Sequence, residues 1–233
     1  MKLRYRLFAA CLLLFPSWVM ATPSGTPSKT AAVGEWLMLF DGTSLTGWTT
    51  KSGQPVTVGW EVRDGMIHRS GAGGDIVTTG EWENFELEFS WKAAAGANSG
   101  VKYRVGAYVP AGQGIGPEYQ VLDDAGHPNG REPKTSAGSL YDLIPATSTK
   151  KLNPVGSWNE SRIVARGTHL EHWLNGEKIM EIDMASDAWK AAVAGSKFKA
   201  APDFGSRAGR ILLQDHGDEV WFRHIRLRPW PGA

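Results

Sequence analysis

The sequence predicts an all-β protein, an antiparallel β-sandwich of jelly-roll type with one short helix. Three observations predict it. Two hairpin signatures, Trp60–His68 around Asp64-Gly65 and Leu170–Ile182 around Asn175-Gly176, join short strands through dipeptides that accept positive φ at little steric cost. Phe85–Lys92 places apolar residues at odd positions and polar ones at even positions without a fault, which is the period of a strand with one buried face. Helical spacing occurs once, from about Asp187 to Phe198, behind a cap at Ser186 or Asp187. Many short strands and a single helix fit two packed antiparallel sheets better than a parallel sheet with crossover helices.

In chain order, residues 1–21 read as an export signal. Lys2, Arg4 and Arg6 precede an apolar run from Leu7 to Phe15, and Val19-Met20-Ala21 offers a cleavage site. Residues 22–34, rich in Ser, Thr, Pro, Gly and Ala, read as a disordered lead-in, and residues 35–233 as a single domain. That domain opens at Glu35–Phe40 with a turn at Asp41-Gly42, followed by Leu45, Trp48 and the Trp60 hairpin. After the Phe85 strand, Asn98-Ser99-Gly100 leads into Val101–Val105, with Asn98, Lys102 and Arg104 expected opposite Val101, Tyr103 and Val105. The next strand is Glu118–Leu122. Residues 125–139 form a long polar loop, the kind that lines binding sites or stays disordered. Arg162–Ala165 precedes the second hairpin. After the helix, Arg210–His216 and Val220–Leu227 close the chain.

Composition narrows the function. The 25 Lys and Arg against 24 Asp and Glu become 22 against 24 once Lys2, Arg4 and Arg6 leave with the signal, a formal charge of −2. Neither nucleic acid nor an anionic membrane is an expected partner. The single cysteine, Cys11, lies early inside the signal, so no disulfide is expected and lipid attachment is disfavoured. Ten tryptophans remain after the signal. Their first use is core packing, though Trp and Tyr also form platforms for sugar rings. The chain has no phosphate-cradling glycine loop and no Gly-x-Ser-x-Gly elbow.

The polar residues most able to carry chemistry sit on or beside strands. Glu118 and Gln120 share a face, a carboxylate and a carboxamide suited to a hydroxyl-rich ligand, while Tyr119 and Val121 turn to the core. Asn98, Arg104, Asp124, Tyr141 and the Gln214-Asp215-His216 run are the further candidates, with Lys197 at the helix end. His216 can exchange a proton near neutral pH, and His127 and His172 are weaker candidates of the same kind. No cofactor is expected. Glu118, Asp123-Asp124 and Asp215-His216 could still converge on a divalent cation such as calcium, although no His-x-x-x-His spacing is present.

Taken in order, several segments resemble the 3-keto-disaccharide hydrolase domain family. They are Leu39-Phe40-Asp41-Gly42 with Leu45 and Trp48, Trp60 with Asp64-Gly65, Asn98–Val101 with Arg104, and Glu118–Asp123. Ala137–Tyr141, Trp158-Asn159, Trp173–Gly176, Ser196–Phe198 and Leu213–Gly217 complete the set. The resemblance implies a concanavalin A-like jelly roll and extracytoplasmic breakdown of glycosides oxidised at C3. A C3 ketone acidifies the C2 hydrogen, so the chemistry needs a base, a donor to the enolate oxygen and an acid for the leaving oxygen. Glu118 or His216 is expected as base, with the other serving the leaving group and Asp215 orienting His216. Arg104, Asn98 or Gln120 is expected at the oxyanion, with Asp124, Tyr141 and Lys197 around the sugar. Two alternatives stay open: a noncatalytic carbohydrate-binding jelly roll, and a conventional glycoside hydrolase. The second is disfavoured because Gln120 and Leu122 stand where jelly-roll glucanases carry further acids.

Overall fold

A computed structural model of the chain describes residues 34–106, 115–201 and 204–230. The expected signal, and the lead-in up to residue 33, lie outside the described residues. In chain order the strands are β1 (Leu37–Met38), β2 (Trp48–Thr50), β3 (Trp60–Arg63), β4 (Met66–Arg69), β5 (Ile76–Thr78), β6 (Phe85–Ala93), β7 (Asn98–Val105) and β8 (Glu118–Leu122). Then come β9 (Asn159–Arg166), β10 (His169–Leu174), β11 (Glu177–Asp183), the helix α1 (Asp187–Ala194), β12 (Arg210–Leu213) and β13 (Val220–Pro229).

Every strand pairing is antiparallel. The larger sheet runs β11-β10-β9-β6-β13-β4-β3, with β1 alongside β13, and the smaller runs β2-β5-β12-β7-β8. This is the jelly-roll sandwich that the strand pattern predicts. Both hairpin turns take the expected conformation, with positive φ at Asp64 and Gly65 and again at Asn175 and Gly176. The odd residues of β6 enter the core, where Phe89 meets Tyr119 edge-on at 5.4 Å and Phe85 meets Tyr103 at 6.1 Å. Tyr119 and Val121 of β8 turn inward as expected, so Glu118 and Gln120 project from the outer face of the smaller sheet.

Two sequence expectations shift. The helix ends at Ala194, not near Phe198. Ser196 accepts from the Phe198 amide and donates to the Val193 carbonyl, turning the chain so that Phe198 stacks on Phe204. On β7 the alternation breaks at Arg104, whose φ is +48°, where pairing with β12 slips by one residue. Val105 consequently joins Val77 and Leu212 in a small apolar cluster apart from the main core. Leu212 pairs with Lys102, which places that cluster on the outer face, where Arg104 was expected.

β8 forms the end of the smaller sheet, and residues 136–144 run beside it. The Gly138 amide donates to the Gln120 carbonyl and the Gln120 amide to the Ser139 carbonyl, while Leu140 bridges Tyr119. Two side chains, the half-buried Lys150 and the fully buried His172, anchor this segment. Lys150 pairs with Asp124 at 2.8 Å and donates to Ser136 Oγ at 2.7 Å, and His172 bonds the Gly138 carbonyl at 2.9 Å.

Candidate active site

The outer face of the smaller sheet gathers its polar groups around Glu118. Strand pairing sets Lys102 opposite Glu118 and Gly100 opposite Gln120. The Glu118 side chain is only 4% exposed, and its Oε2 lies 3.5 Å from Lys102 Nζ. Burial pushes the Glu118 carboxyl up. The charges of Lys102, Lys197 and a protonated His216 pull it back without cancelling that push. Lys197 arrives from the turn after α1 and His216 from the turn after β12, so charges from three separate segments of chain act on the one carboxylate of β8. The leading charges acting on it are all positive.

Tyr141 comes from the segment beside β8. Its ring carries Lys197 Nζ 4.4 Å from the centroid, and its phenol is pushed up by burial and by the negative charge of Glu118. Next along the face, Gln120 Nε2 donates to Asn98 Oδ1 at 2.9 Å, leaving Gln120 Oε1 buried without a partner. The Oε1 atom of Gln214, between β12 and His216, is in the same condition. Buried acceptors left open in this way call for an explanation, and both belong to amides on the face that carries Glu118.

The structure thus brings Glu118, His216, Asn98, Gln120, Tyr141 and Lys197 to one region and moves three expected residues out of it. Arg104 is one. At 2% exposure its guanidinium donates to the Glu83, Gly205 and Gly167 carbonyls at 2.6, 3.0 and 3.0 Å, because the bulge turns it away from the outer face. Asp215 is the second. Its oxygens accept from Arg69 Nε at 2.8 Å and from the Gly73, Gly74 and Gly217 amides, so it anchors a loop and does not orient His216. Asp124 is the third, engaged with Lys150 and the Ala137 amide. A hollow of about 240 Å³ opens beside Asp123 and Asp124, walled by Trp91, Leu122, Leu152 and Asn153, but Glu118 does not reach it.

The weaker histidines are structural. His127 caps a 3₁₀ turn by accepting from the Asn129 amide. His172 is fully buried between Tyr103 and Gly138, and burial lowers its pKa to about 3. The tryptophans are engaged elsewhere: Trp48, Trp60, Trp91 and Trp189 are core residues, Trp82 packs against the core, and Trp36, Trp158, Trp173, Trp221 and Trp230 each carry a Lys or Arg over the ring. Glu118, Asp123, Asp124, Asp215 and His216, left open in the sequence as a possible cation site, are not among the metal-ligating groups that come together in the described residues. Among the described residues, three metal-ligating side chains come together at His169, Glu171 and Glu181 on the larger sheet, and Lys178 already pairs with both glutamates.

Lys102 is the site residue that sequence reasoning passed over. The signal was present, since Lys102 alternates with Val101 and Tyr103 and so had to face outward. Nothing in the sequence showed that it would sit opposite Glu118.

Residues 35–228, nearly the whole described chain, match the 3-keto-alpha-glucoside-1,2-lyase-like domain. The chain belongs to this family. A curated relative from Bacteroides thetaiotaomicron, named 3-keto-disaccharide hydrolase, is 32% identical over 226 residues, covering 83% of this chain and 78% of its own. A solved structure from Parabacteroides distasonis, provisionally described as a glycosyl hydrolase, is 35% identical with a TM-score of 0.77, covering 85% of this chain and 94% of that one. A second from the same organism, described likewise, is 29% identical with a TM-score of 0.65, covering 84% and 99%.

Proposed function

We propose that this family member is a carbohydrate-active hydrolase that cleaves glycosides bearing a ketone at C3, with Glu118 as the base that removes the C2 proton. The observation that carries the reading is a buried carboxylate 3.5 Å from the Lys102 ammonium, with the charges of Lys197 and His216 also acting on it, in a family whose curated relative is named for 3-keto-disaccharides. Burial raises the proton affinity of Glu118 and suits it to general-base work, while the nearby cations let it ionise.

Glu118 takes the C2 proton, and the C2–H electron pair becomes the C2–C3 double bond of an enolate. Lys102 faces the negative charge that develops on the C3 oxygen. As the enolate collapses, a double bond forms between C1 and C2, the C1–O bond breaks, and His216 gives its proton to the departing oxygen. Water then adds its oxygen at C1 and gives a proton to His216 while Glu118 returns its proton to C2, which restores both groups and makes the net reaction a hydrolysis. Gln120, Asn98 and Gln214 supply amide partners for sugar hydroxyls, and Tyr141 with Lys197 forms one wall. A conventional retaining mechanism needs a second carboxyl about 5–5.5 Å from the first. The leading charges acting on Glu118 are the cations Lys102, Lys197 and His216, and no second carboxylate is among them.

The test compares wild type with Glu118→Gln on matched 3-keto and unoxidised disaccharides in D₂O. Wild type should cleave the keto substrate and incorporate deuterium at C2, and Glu118→Gln should lose about 10²–10⁴-fold in kcat. Undiminished turnover by the variant, or comparable cleavage of the unoxidised sugar, overturns the assignment. Binding of sugar with no cleavage by wild type would make the domain a noncatalytic module. We further infer export, supported by the basic and apolar pattern of residues 1–21, and a mature N-terminus near Thr22 by mass spectrometry is the check.

A further inference from the structure

Gly100 lies in the middle of β7, and its backbone does not require glycine, because its φ is not positive. It has no room to retreat. Gln120 is paired with it on the β8 side, and the Gln214 amide donates to its carbonyl at 3.0 Å on the other. Its peculiarity is what lies above it. A Cβ added at Gly100 would run into Glu118 Oε1 and come within 2.9 Å of both Cγ and Cδ of that side chain. Real Cβ atoms do not approach carbons this closely. The Glu118 side chain therefore lies flat over position 100, in space that any other residue type would fill.

We infer that Gly100 is a positioning residue for the general base: the absent side chain is the seat that holds the Glu118 carboxylate low on the sheet, within reach of Lys102. The inference rests on the reading of Glu118 as base and adds the device that aims it. With a side chain at position 100 the strand stays paired on both edges, so Glu118 has to lift outward. The groups it would then meet differently are Lys102 on β7, Lys197 after α1, His216 after β12 and Tyr141 beside β8. Displacements of about 1 Å at a reacting group cost on the order of 10²-fold in rate.

The decisive variant is Gly100→Ala. Alanine suits strand φ and ψ, so the protein should stay folded, with a melting temperature lowered only by the displacement of the Glu118 side chain. The kcat/KM for a 3-keto-disaccharide should fall by about 100-fold. In the Glu118→Ala background, where the side chain ends at Cβ and leaves position 100 free, adding Gly100→Ala should change the residual kcat/KM by less than about threefold. An equal loss in both backgrounds, or no loss in the first, overturns the inference. A readout independent of turnover is the ¹³C-NMR titration of the Glu118 carboxyl. Its midpoint should move down toward that of free glutamate in Gly100→Ala as the group lifts toward solvent, and an unmoved midpoint overturns the inference. If wild type cleaves no keto-sugar, the reaction assignment fails while this titration still decides the role of Gly100.

Discussion

Replacing Lys102 with Met keeps the length of the side chain and removes its charge, so it isolates what the ammonium does for Glu118. At the observed separation of 3.5 Å, two unit charges attract by about 5 kcal/mol at an effective dielectric near 20. Lys197 and His216 remain in the variant, and Lys102 is 15% exposed to water. Roughly 2 kcal/mol of support for the ionised carboxylate should therefore disappear. Burial already holds the Glu118 pKa above its ordinary value, and losing Lys102 moves it further in the same direction. The base works only when ionised, so the acid limb of the kcat/KM profile should shift to higher pH. Below that limb the loss should be about 30-fold, because 1.4 kcal/mol corresponds to a factor of ten. On the alkaline side it should shrink to whatever Lys102 contributes to the enolate. Lys102→Arg should keep the limb in place. Steady-state kinetics on a 3-keto-disaccharide across the pH range gives the answer. A uniform loss at every pH, with the acid limb unmoved, would refute the coupling of Lys102 to the charge on Glu118.

Arg104→Met should cost about 3–5 kcal/mol of stability by removing a buried cation and leaving three carbonyls without their donor, while kcat per folded molecule stays unchanged. Thermal melts read alongside active-site titration check this, and a kcat loss in fully folded protein would return Arg104 to the site. Asp215→Asn should cost roughly 2–3 kcal/mol at neutral pH. Burial pushes the Asp215 pKa up, but the Gly73 and Gly74 amides and the Arg69 guanidinium outweigh it and hold the carboxyl below the usual range. A depressed folded-state pKa means that the stabilisation is complete above about pH 4, the unfolded value, and is lost as pH falls through the folded value. Denaturant melts of the two proteins should therefore differ at pH 7 and converge in strong acid, and a gap independent of pH would contradict that account.

The sandwich was legible in the sequence because its signals are local. The period-two pattern of Phe85–Lys92 and the Asp64-Gly65 and Asn175-Gly176 turns specify strands and hairpins from neighbouring residues alone. The placement of Glu118 and Gln120 opposite Tyr119 and Val121 follows from the same alternation. What the alternation could not show is where it breaks. Arg104 was expected outward by strict counting, and one residue with positive φ turned it toward backbone carbonyls on three distant loops. Asp215 beside His216 looked like an acid supporting an imidazole, yet Gly73 and Gly74, far away in sequence, take its oxygens. Long-range partners of this kind leave no trace in a local pattern. The pairing of Lys102 with Glu118 is hidden for the same reason, since it depends on the register between β7 and β8.

The strip of chain from Ser136 to Leu140 has a consequence beyond the site it borders. An end strand normally presents a row of free amides and carbonyls on which another polypeptide can build. Here Gly138, Ser139 and Leu140 already occupy the rim at Gln120 and Tyr119, and they are fastened there by Lys150 and His172. Loosening that fastening would expose a templating edge and unseat the strand bearing Glu118 in one event, so self-association and loss of turnover should set in together.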